Sequence, residues 1–152
     1  MANDAVVAGP AERLFPSWGG PSERLRFLLQ WAVLAPSRHN TQPWSFEIEG
    51  DEVLVFADLA RALPEADPDG RQLLMSCGAA AVNLKLAAAH FGLATSTEVV
   101  PAHRRDGLVA RIRLEERRAT TPEAEEMFQA IPRRRTNRLP LDGRDPRPLP
   151  GV

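Results

Sequence analysis

The hydrophobic residues that follow the first twenty positions recur at helical spacing in two segments. Leu25 and Leu28 fall on one helix face and Pro36 cannot continue a helix, so the pattern predicts a helix over residues 22–34. A second segment, residues 68–91, starts at a group of Asp and Pro residues that can cap a helix, and it is apolar almost all round. The pattern therefore predicts a long helix that is buried on several sides.

A period of two, which is typical of strands, appears in two pairs of segments. Residues 44–48 alternate between apolar and polar, and after a Gly-Asp turn residues 53–56 form a second apolar run, which predicts an antiparallel hairpin. Residues 93–100 and 107–114 predict a second pair of strands, and a last helix is expected to start at Thr120 or Thr121 and to run to about Ala130. This order predicts an α+β fold, with helices packed on an antiparallel-rich sheet around the long central helix.

The chain of 152 residues is long enough for one domain. We expect residues 1–20, rich in Ala, Gly and Pro, to form a flexible lead, and residues 21–138 to form the domain. Four prolines in residues 139–152 exclude a helix or a central strand, which predicts a disordered tail or a truncated linker. No run of 18 apolar residues and no signal-peptide pattern occur, so we expect no membrane span and a cytoplasmic location.

Composition excludes several classes of site. The single cysteine, Cys77, excludes a disulfide framework, and its apolar helix predicts a small buried side chain. No histidine lies at ligand spacing from Asp58, Asp67 or Asp69, so no metal site is expected. Acidic residues are in excess in the first 100 positions and basic residues in the rest, while the net charge is −1. Without aromatic residues among the arginines or a known binding motif, we expect no nucleic-acid partner.

A polar loop over residues 36–44 carries the densest set of hydrogen-bonding side chains. Asn40 and Gln42 offer amide donors and acceptors together, which suits the edge of a heterocycle that has both C=O and N–H groups. Pro36 and Pro43 stiffen the loop and lower the entropy cost of holding it ready. The alternative is a capping loop whose polar groups satisfy the local backbone.

A second candidate site is the basic run at residues 133–138. Arg134, Thr136 and Arg138 alternate, so an extended chain would aim them to one side. Guanidinium groups and a hydroxyl suit a phosphate monoester. The alternative is a solvated basic run.

The polar loop resembles the flavin-binding segment P-S-x-x-N-x-Q-P-W of the nitroreductase superfamily. The residues that match it in register are Pro36, Ser37, Asn40, Gln42, Pro43 and Trp44. His39 and Thr41, together with the segments 67–71 and 76–80, look most like the Acg-type branch of FMN-binding oxidoreductases. The resemblance covers roughly residues 22–141.

This resemblance implies an FMN-dependent oxidoreductase that transfers two electrons from NAD(P)H to a small acceptor of the nitroaromatic or quinone type. It assigns no catalytic side chain. The cofactor-binding residues that it implies are Ser37, His39, Asn40, Gln42, Arg134, Thr136 and Arg138. For His39, a hydrogen bond within the loop is the alternative role.

The order of the two motifs points to half of a larger unit. The family's phosphate-binding pattern, R-x-S/T-x-R/K, precedes the polar loop in simple nitroreductases, whereas here it follows by about ninety residues. In the Acg-type branch two nitroreductase-like halves are fused, so this chain looks like one half and the opening of the next. A homodimer, or pairing with a second half, is the expected assembly. The alternative function is a non-catalytic flavin-binding or interaction half, or a truncated gene product.

Overall fold

Helices alternate with pairs of strands along the chain, as the sequence predicts. In the computed structural model we describe residues 9–100, 107–117 and 120–136. Within them the helices and strands are α1 (Pro21–Ala32), β1 (Trp44–Glu49), β2 (Glu52–Ala57), α2 (Arg71–His90), β3 (Leu93–Val99), β4 (Leu108–Arg117) and α3 (Pro122–Ala130). Short 3-10 turns occupy Glu12–Leu14, Arg38–Asn40 and Leu59–Arg61. The α+β class is confirmed.

The start of α2 differs from its prediction by three residues. Asp67 lies outside the helix, and its two carboxylate oxygens accept hydrogen bonds from the backbone N–H groups of Gln72 (3.0 Å) and Leu73 (2.8 Å). Gly70 has a φ of +65°, so the chain turns there before the first helical residue, Arg71. The acidic and proline-containing segment therefore caps the helix from a distance and is not part of its first turn.

The four strands form one antiparallel sheet in the order β1-β2-β4-β3. The two predicted strand pairs are present, and the pairing of β2 with β4 joins them, with Val53 opposite Ile112. Because successive residues of a strand point to opposite faces, Val53 and Val55 face the helices while Leu54 lies on the other side with Leu108. The inner strand β2 is therefore apolar on both faces.

The long helix α2 forms the centre of the core. It packs against α1, α3 and the sheet, and Cys77 and Leu84 are fully buried on it. By length and composition alone α2 could cross a membrane, with 44% of its apolar window buried here. The central helix of a folded domain passes the same test, and that is the place α2 has in this fold.

Part of the predicted N-terminal lead contacts the helices. Phe15 stacks on Phe91 at the end of α2, with ring centroids 4.1 Å apart, and meets the edge of Phe27 on α1 at 5.5 Å. Residues 9–20 thus contribute an aromatic side chain to the end of α2 that lies far from the polar loop. The predicted tail, residues 139–152, falls outside the described residues.

Candidate functional site

The polar loop has an unusual backbone for its residue types. His39, Asn40 and Gln42 have φ values of +50°, +57° and +49°. Asparagine and histidine occur in this left-handed region more often than most residues with a side chain, but glutamine rarely adopts it because its Cβ approaches the backbone. Such conformations persist only where surrounding contacts hold them, and they are common at ligand sites.

Contacts from inside and outside the loop hold this backbone in place. The hydroxyl of Ser37 accepts a hydrogen bond from the backbone N–H of Gln42 at 2.9 Å. A guanidinium N–H of Arg61 donates to the carbonyl oxygen of Gln42 at 3.1 Å. The thiol of Cys77 on α2 donates to the carbonyl oxygen of Pro43 at 3.2 Å. The loop is therefore fixed before any ligand arrives.

A cleft of about 490 Å³ opens between the polar loop and the first half of α2. Its lining combines residues of the polar loop, residues of α2 and one residue after α3: Pro36, Ser37, Arg38, His39, Gln72, Met75, Ser76, Ala79 and Thr136. Arg38 bridges the two walls, because its guanidinium donates to the side-chain oxygen of Gln72 at 2.7 Å. The volume lies within the roughly 300–1,000 Å³ range of small-molecule sites.

The segment that follows α3 brings the second motif to the rim of this cleft. Thr136 lines the cleft, and its hydroxyl accepts a hydrogen bond from the guanidinium of Arg134 at 2.9 Å. The neighbouring Arg133 is engaged elsewhere, since it donates to the carbonyl oxygen of Gln129 at 2.7 Å. Arg134 and Thr136 are exposed, so both can meet a charged ligand.

The predicted site residues are thus brought together only in part. The cleft collects Ser37, His39 and Thr136, which lie far apart in sequence. Asn40 and Gln42 belong to the same loop but do not line the cleft, and Arg134 lies beside it through its bond to Thr136. Arg138, the last residue of the predicted phosphate motif, is outside the described residues.

The α2 face of the cleft was not singled out by the sequence. Gln72, Met75 and Ala79 follow one another at spacings of three and four, which places them on one side of the helix. Met75 is 63% exposed although it lies within the central helix. The helical spacing is visible in the sequence, but apolar residues all round the helix hide which face is open.

Two titratable groups near the cleft have shifted pKa values. The pKa of Asp67 is lowered from 3.8, first by the hydrogen bond from the backbone N–H of Gln72 and further by Leu73 and the charge of Arg38. Burial raises the pKa of the Cys77 thiol to about 11, so this thiol is neutral and acts as a hydrogen-bond donor. Asp67 therefore stabilises the helix start as an anion, and Cys77 is a structural contact.

The free hydrogen-bonding groups of the loop fit a flavin. Among the residues described, the side-chain amides of Asn40 and Gln42 and the ring of His39 have no hydrogen-bond partner. The hydroxyl of Ser37 accepts from Gln42 and keeps its own proton to donate. A heterocycle with adjoining C=O and N–H groups and a phosphate would pair with these amides and with the Arg134–Thr136 side chains.

Comparison with known proteins relates the chain to one class of oxidoreductase. No family model matches the chain. The chain is nevertheless homologous to nitroreductases, with similarity to the Acg type, and the resemblance stated from the polar loop is confirmed.

Three relatives of the chain are proteins of Mycobacterium tuberculosis (strain ATCC 25618 / H37Rv), and two of them carry the nitroreductase name. "Putative NAD(P)H nitroreductase Rv3131" is 34% identical over 136 residues, which cover 88% of this chain and 39% of that protein. "Putative NAD(P)H nitroreductase acg" is 34% identical over 117 residues, or 77% of this chain and 35% of the relative. "Uncharacterized protein Rv3127" is 38% identical over 117 residues, or 73% and 33%. The chain spans less than half the length of these relatives.

Proposed function

We propose that this chain is part of a nitroreductase-like oxidoreductase and binds FMN at the cleft between the polar loop and α2. The observation that carries the proposal is that one cleft collects Ser37, His39 and Thr136 from two distant motifs. The names of the relatives support an NAD(P)H-dependent activity. The proposed acceptor is a small nitroaromatic or quinone-type molecule.

In this proposal the polar loop recognises the ring system. Asn40 and Gln42 lie on the same loop just outside the cleft lining, so they would hydrogen-bond the pyrimidine edge where the ring system reaches past the cleft. The free proton of Ser37 would donate to the ring edge or the ribityl chain. His39, at the cleft wall, would contact the ring system. Amide N–H groups aimed at that edge stabilise negative charge that develops there on reduction.

The segment after α3 would hold the phosphate. Arg134 supplies a guanidinium fork and Thr136 a hydroxyl, and the hydrogen bond between them keeps the two groups on one side. Arg138 completes the proposed set. When bound, FMN would supply two-electron chemistry between a nicotinamide and an acceptor, while the protein supplies binding, orientation and electrostatics.

The open face of α2 supports a paired assembly. Met75 and Val82, 63% and 47% exposed, lie on the side of α2 that forms the cleft wall and a second groove of about 450 Å³. Exposed apolar residues in a row favour an interface. We propose that a second nitroreductase-like unit, either another copy of this chain or a second half, covers this face and closes the cleft.

A test of this assembly is the mass of the purified chain in solution. Val82→Glu should convert a dimer into a monomer in sedimentation experiments, because it places a charge in the covered face. Val99→Glu, at a 75% exposed position of β3, is the matched control and should leave the dimer intact. A wild-type chain that stays monomeric at every concentration would contradict pairing of two copies.

The location proposed for the protein is the cytoplasm. The supporting observation is that α2, the helix of the described residues with span-like composition, serves as the core of the fold.

The test of the cofactor proposal is FMN titration of the purified chain, followed by its visible spectrum with NADPH. Gln42→Ala should weaken FMN binding roughly tenfold, the factor expected for one hydrogen bond to a charged or polarised group. Gln30→Ala, on the exposed side of α1, is the matched control and should change nothing.

The outcomes separate the proposed function from its alternative. Flavin absorbance that NADPH bleaches supports the oxidoreductase. Stable FMN binding without bleaching by NADPH or NADH supports a non-catalytic flavin-binding half. A chain that binds no FMN at saturating concentration would contradict both flavin-based functions and leave the interaction half or the truncated gene product.

A further inference from the structure

Arg61 lies outside both sequence motifs, yet it contacts the backbone of the polar loop. It ends the short turn Leu59–Arg61 that follows β2. One of its guanidinium nitrogens, Nη1, donates to the carbonyl oxygen of Gln42 at 3.1 Å and also reaches the carbonyl oxygen of Thr41 at 3.5 Å. The side chain therefore spans from β2 to the part of the loop with a left-handed backbone.

Asp58 orients this arginine. Its Oδ2 pairs with Nε of Arg61 at 3.1 Å, and its Oδ1 accepts from the backbone N–H of Ala60 at 3.1 Å. The backbone N–H of Asp58 also donates to the carbonyl oxygen of Pro43 at 3.1 Å. An exposed ion pair of this kind contributes little stability by itself. Its effect here is to aim the free edge of the guanidinium at the loop.

Gln42 is the residue on which these contacts converge. Its N–H donates to Ser37 Oγ at 2.9 Å, and its carbonyl oxygen accepts from the backbone N–H of Trp44 at 2.9 Å as well as from Arg61. Glutamine does not favour a φ of +49°, so without these bonds the residue would relax to negative φ. Such a change would rotate its side chain away from its present direction.

We propose that Arg61, oriented by Asp58, is a positioning residue that holds Gln42 in its left-handed conformation and so keeps its side-chain amide ready for the flavin. The ligand part of this inference rests on the proposed function. The anchoring part does not, because it concerns the ligand-free chain.

The first experiment measures anchoring without any ligand. Hydrogen–deuterium exchange is followed over residues 37–44 in wild type, Arg61→Ala and the control Arg26→Ala, which removes an exposed arginine of α1. Arg61→Ala should speed exchange of the Gln42 and Trp44 amides about tenfold, as expected for loss of one hydrogen bond to a charged group. Arg26→Ala should match wild type. Equal exchange in all three proteins would overturn the proposal.

The second experiment tests whether Arg61 acts through the Gln42 amide. FMN affinity and the free energy of unfolding are measured for Arg61→Ala, Gln42→Ala and the double variant. Arg61→Ala alone should weaken FMN binding about tenfold. In the Gln42→Ala background the same change should have almost no effect on FMN affinity, while its effect on unfolding persists.

Additive effects on FMN affinity would overturn the positioning role, because they would show that Arg61 does not act through the Gln42 amide. Arg61→Lys should recover part of the affinity, since an ammonium group can reach one acceptor but cannot bridge Asp58 and Gln42 as a planar fork does. Full loss in Arg61→Lys together with additivity would identify Arg61 as a ligand contact and overturn the proposal. If wild type binds no FMN, the proposed function fails, and the exchange experiment still decides the anchoring.

Discussion

The two segments that meet at the cleft are held in different ways. The polar loop has its backbone fixed by Ser37, Arg61 and the thiol of Cys77. The segment after α3 is held by backbone bonds to Ala130 and by the side chain of Arg133, and its ligand-facing side chains are exposed. The polar loop is thus a fixed wall of the site, and the segment after α3 is an exposed wall, whose ligand-facing side chains are open to solvent.

Because of this difference, the polar loop and the segment after α3 suit different parts of a ligand. Specific recognition of a ring edge requires fixed donors and acceptors, because a shift of one ångström destroys the pairing. Charge attraction to a phosphate tolerates more movement, since Coulomb energy falls slowly with distance. The fixed polar loop therefore suits recognition, and the exposed Arg134–Thr136 pair suits capture of an anion.

The largest expected effect is a loss of stability caused by a cavity in α2, the helix that packs against both the polar loop and α3. Leu84 is fully buried in α2, and Leu84→Ala should lower the free energy of unfolding by about 2–5 kcal/mol, the usual cost of a cavity in a core. Lys85→Ala, at the exposed neighbouring position, should change it by less than about 0.5 kcal/mol. Chemical denaturation measures both. If hydrogen exchange showed a loss of protection in only one of the two segments, α2 would not couple the polar loop to the segment after α3.

The next effect concerns the exposed wall alone. Arg134→Ala should weaken FMN binding about tenfold through loss of a guanidinium–phosphate contact, with the free energy of unfolding unchanged. Arg26→Ala makes the same change in charge at an exposed position of α1, away from the segment after α3. It should leave FMN affinity close to wild type in a fluorescence titration. Equal losses in the two variants would show that net charge, not position, attracts the phosphate.

A smaller effect tests the strain in the fixed wall. His39→Gly should raise the free energy of unfolding by about 1 kcal/mol, because glycine adopts a φ near +50° without the steric cost that a Cβ brings. Thr41 has a φ of −67°, so Thr41→Gly should instead lower stability by about 0.5–1 kcal/mol. Urea denaturation of the two variants compares them directly. Destabilisation by His39→Gly would mean that its ring makes a contact that outweighs the strain.

The smallest effect is a pH dependence of stability in α3, the helix that precedes the segment with Arg134 and Thr136. The pKa of Glu125 on α3 is lowered from 4.5, first by the hydrogen bond from Gln129 and then by His90, whose Nδ1 lies 2.7 Å from the carboxylate. A lowered pKa in the folded state means that the ionised group stabilises the fold above pH 4.5 and that this contribution disappears as pH falls through the folded value.

Unfolding experiments on Glu125→Gln measure this contribution. The variant should be less stable than wild type near neutral pH, and the difference should shrink as the pH falls below 4.5 and be lost once it passes the lowered folded value. Glu126→Gln, one residue further along α3 and exposed, is the matched control. A difference that grows in acid would contradict the assignment.

Most helices and strands could be predicted because the spacing of hydrophobic residues along the sequence indicates them directly. The alternation of residues 44–48 and the helical spacing of Leu25 and Leu28 depend only on burying one face, and β1 and α1 follow them. The start of α2 could not be placed, because Asp67 caps the helix through a backbone N–H five positions further along, across the irregular residues 68–70. The pairing of β2 with β4 depends on contacts between distant segments, which no local pattern reports.

The polar loop of the site was predictable from the sequence, whereas its left-handed backbone and the contact from Arg61 were not. Asn40 and Gln42 stand out as polar residues between two prolines, and the resemblance to a flavin-binding segment added Ser37. The left-handed backbone at Gln42 could not be expected, since the residue type disfavours it. Arg61 has no local signal either, because its partner lies 19 residues away and the contact exists only once β1 and β2 have paired.

The thiol of Cys77 gives this molecule a reporter of its own. It is the chain's single cysteine, it is fully buried, and its hydrogen bond to the carbonyl oxygen of Pro43 joins α2 to the end of the polar loop. Burial shields this thiol and raises its pKa to about 11, so a reagent added to the folded protein modifies it only during openings that expose it. The rate of that modification would time, without any engineered label, how often the helix and the loop part.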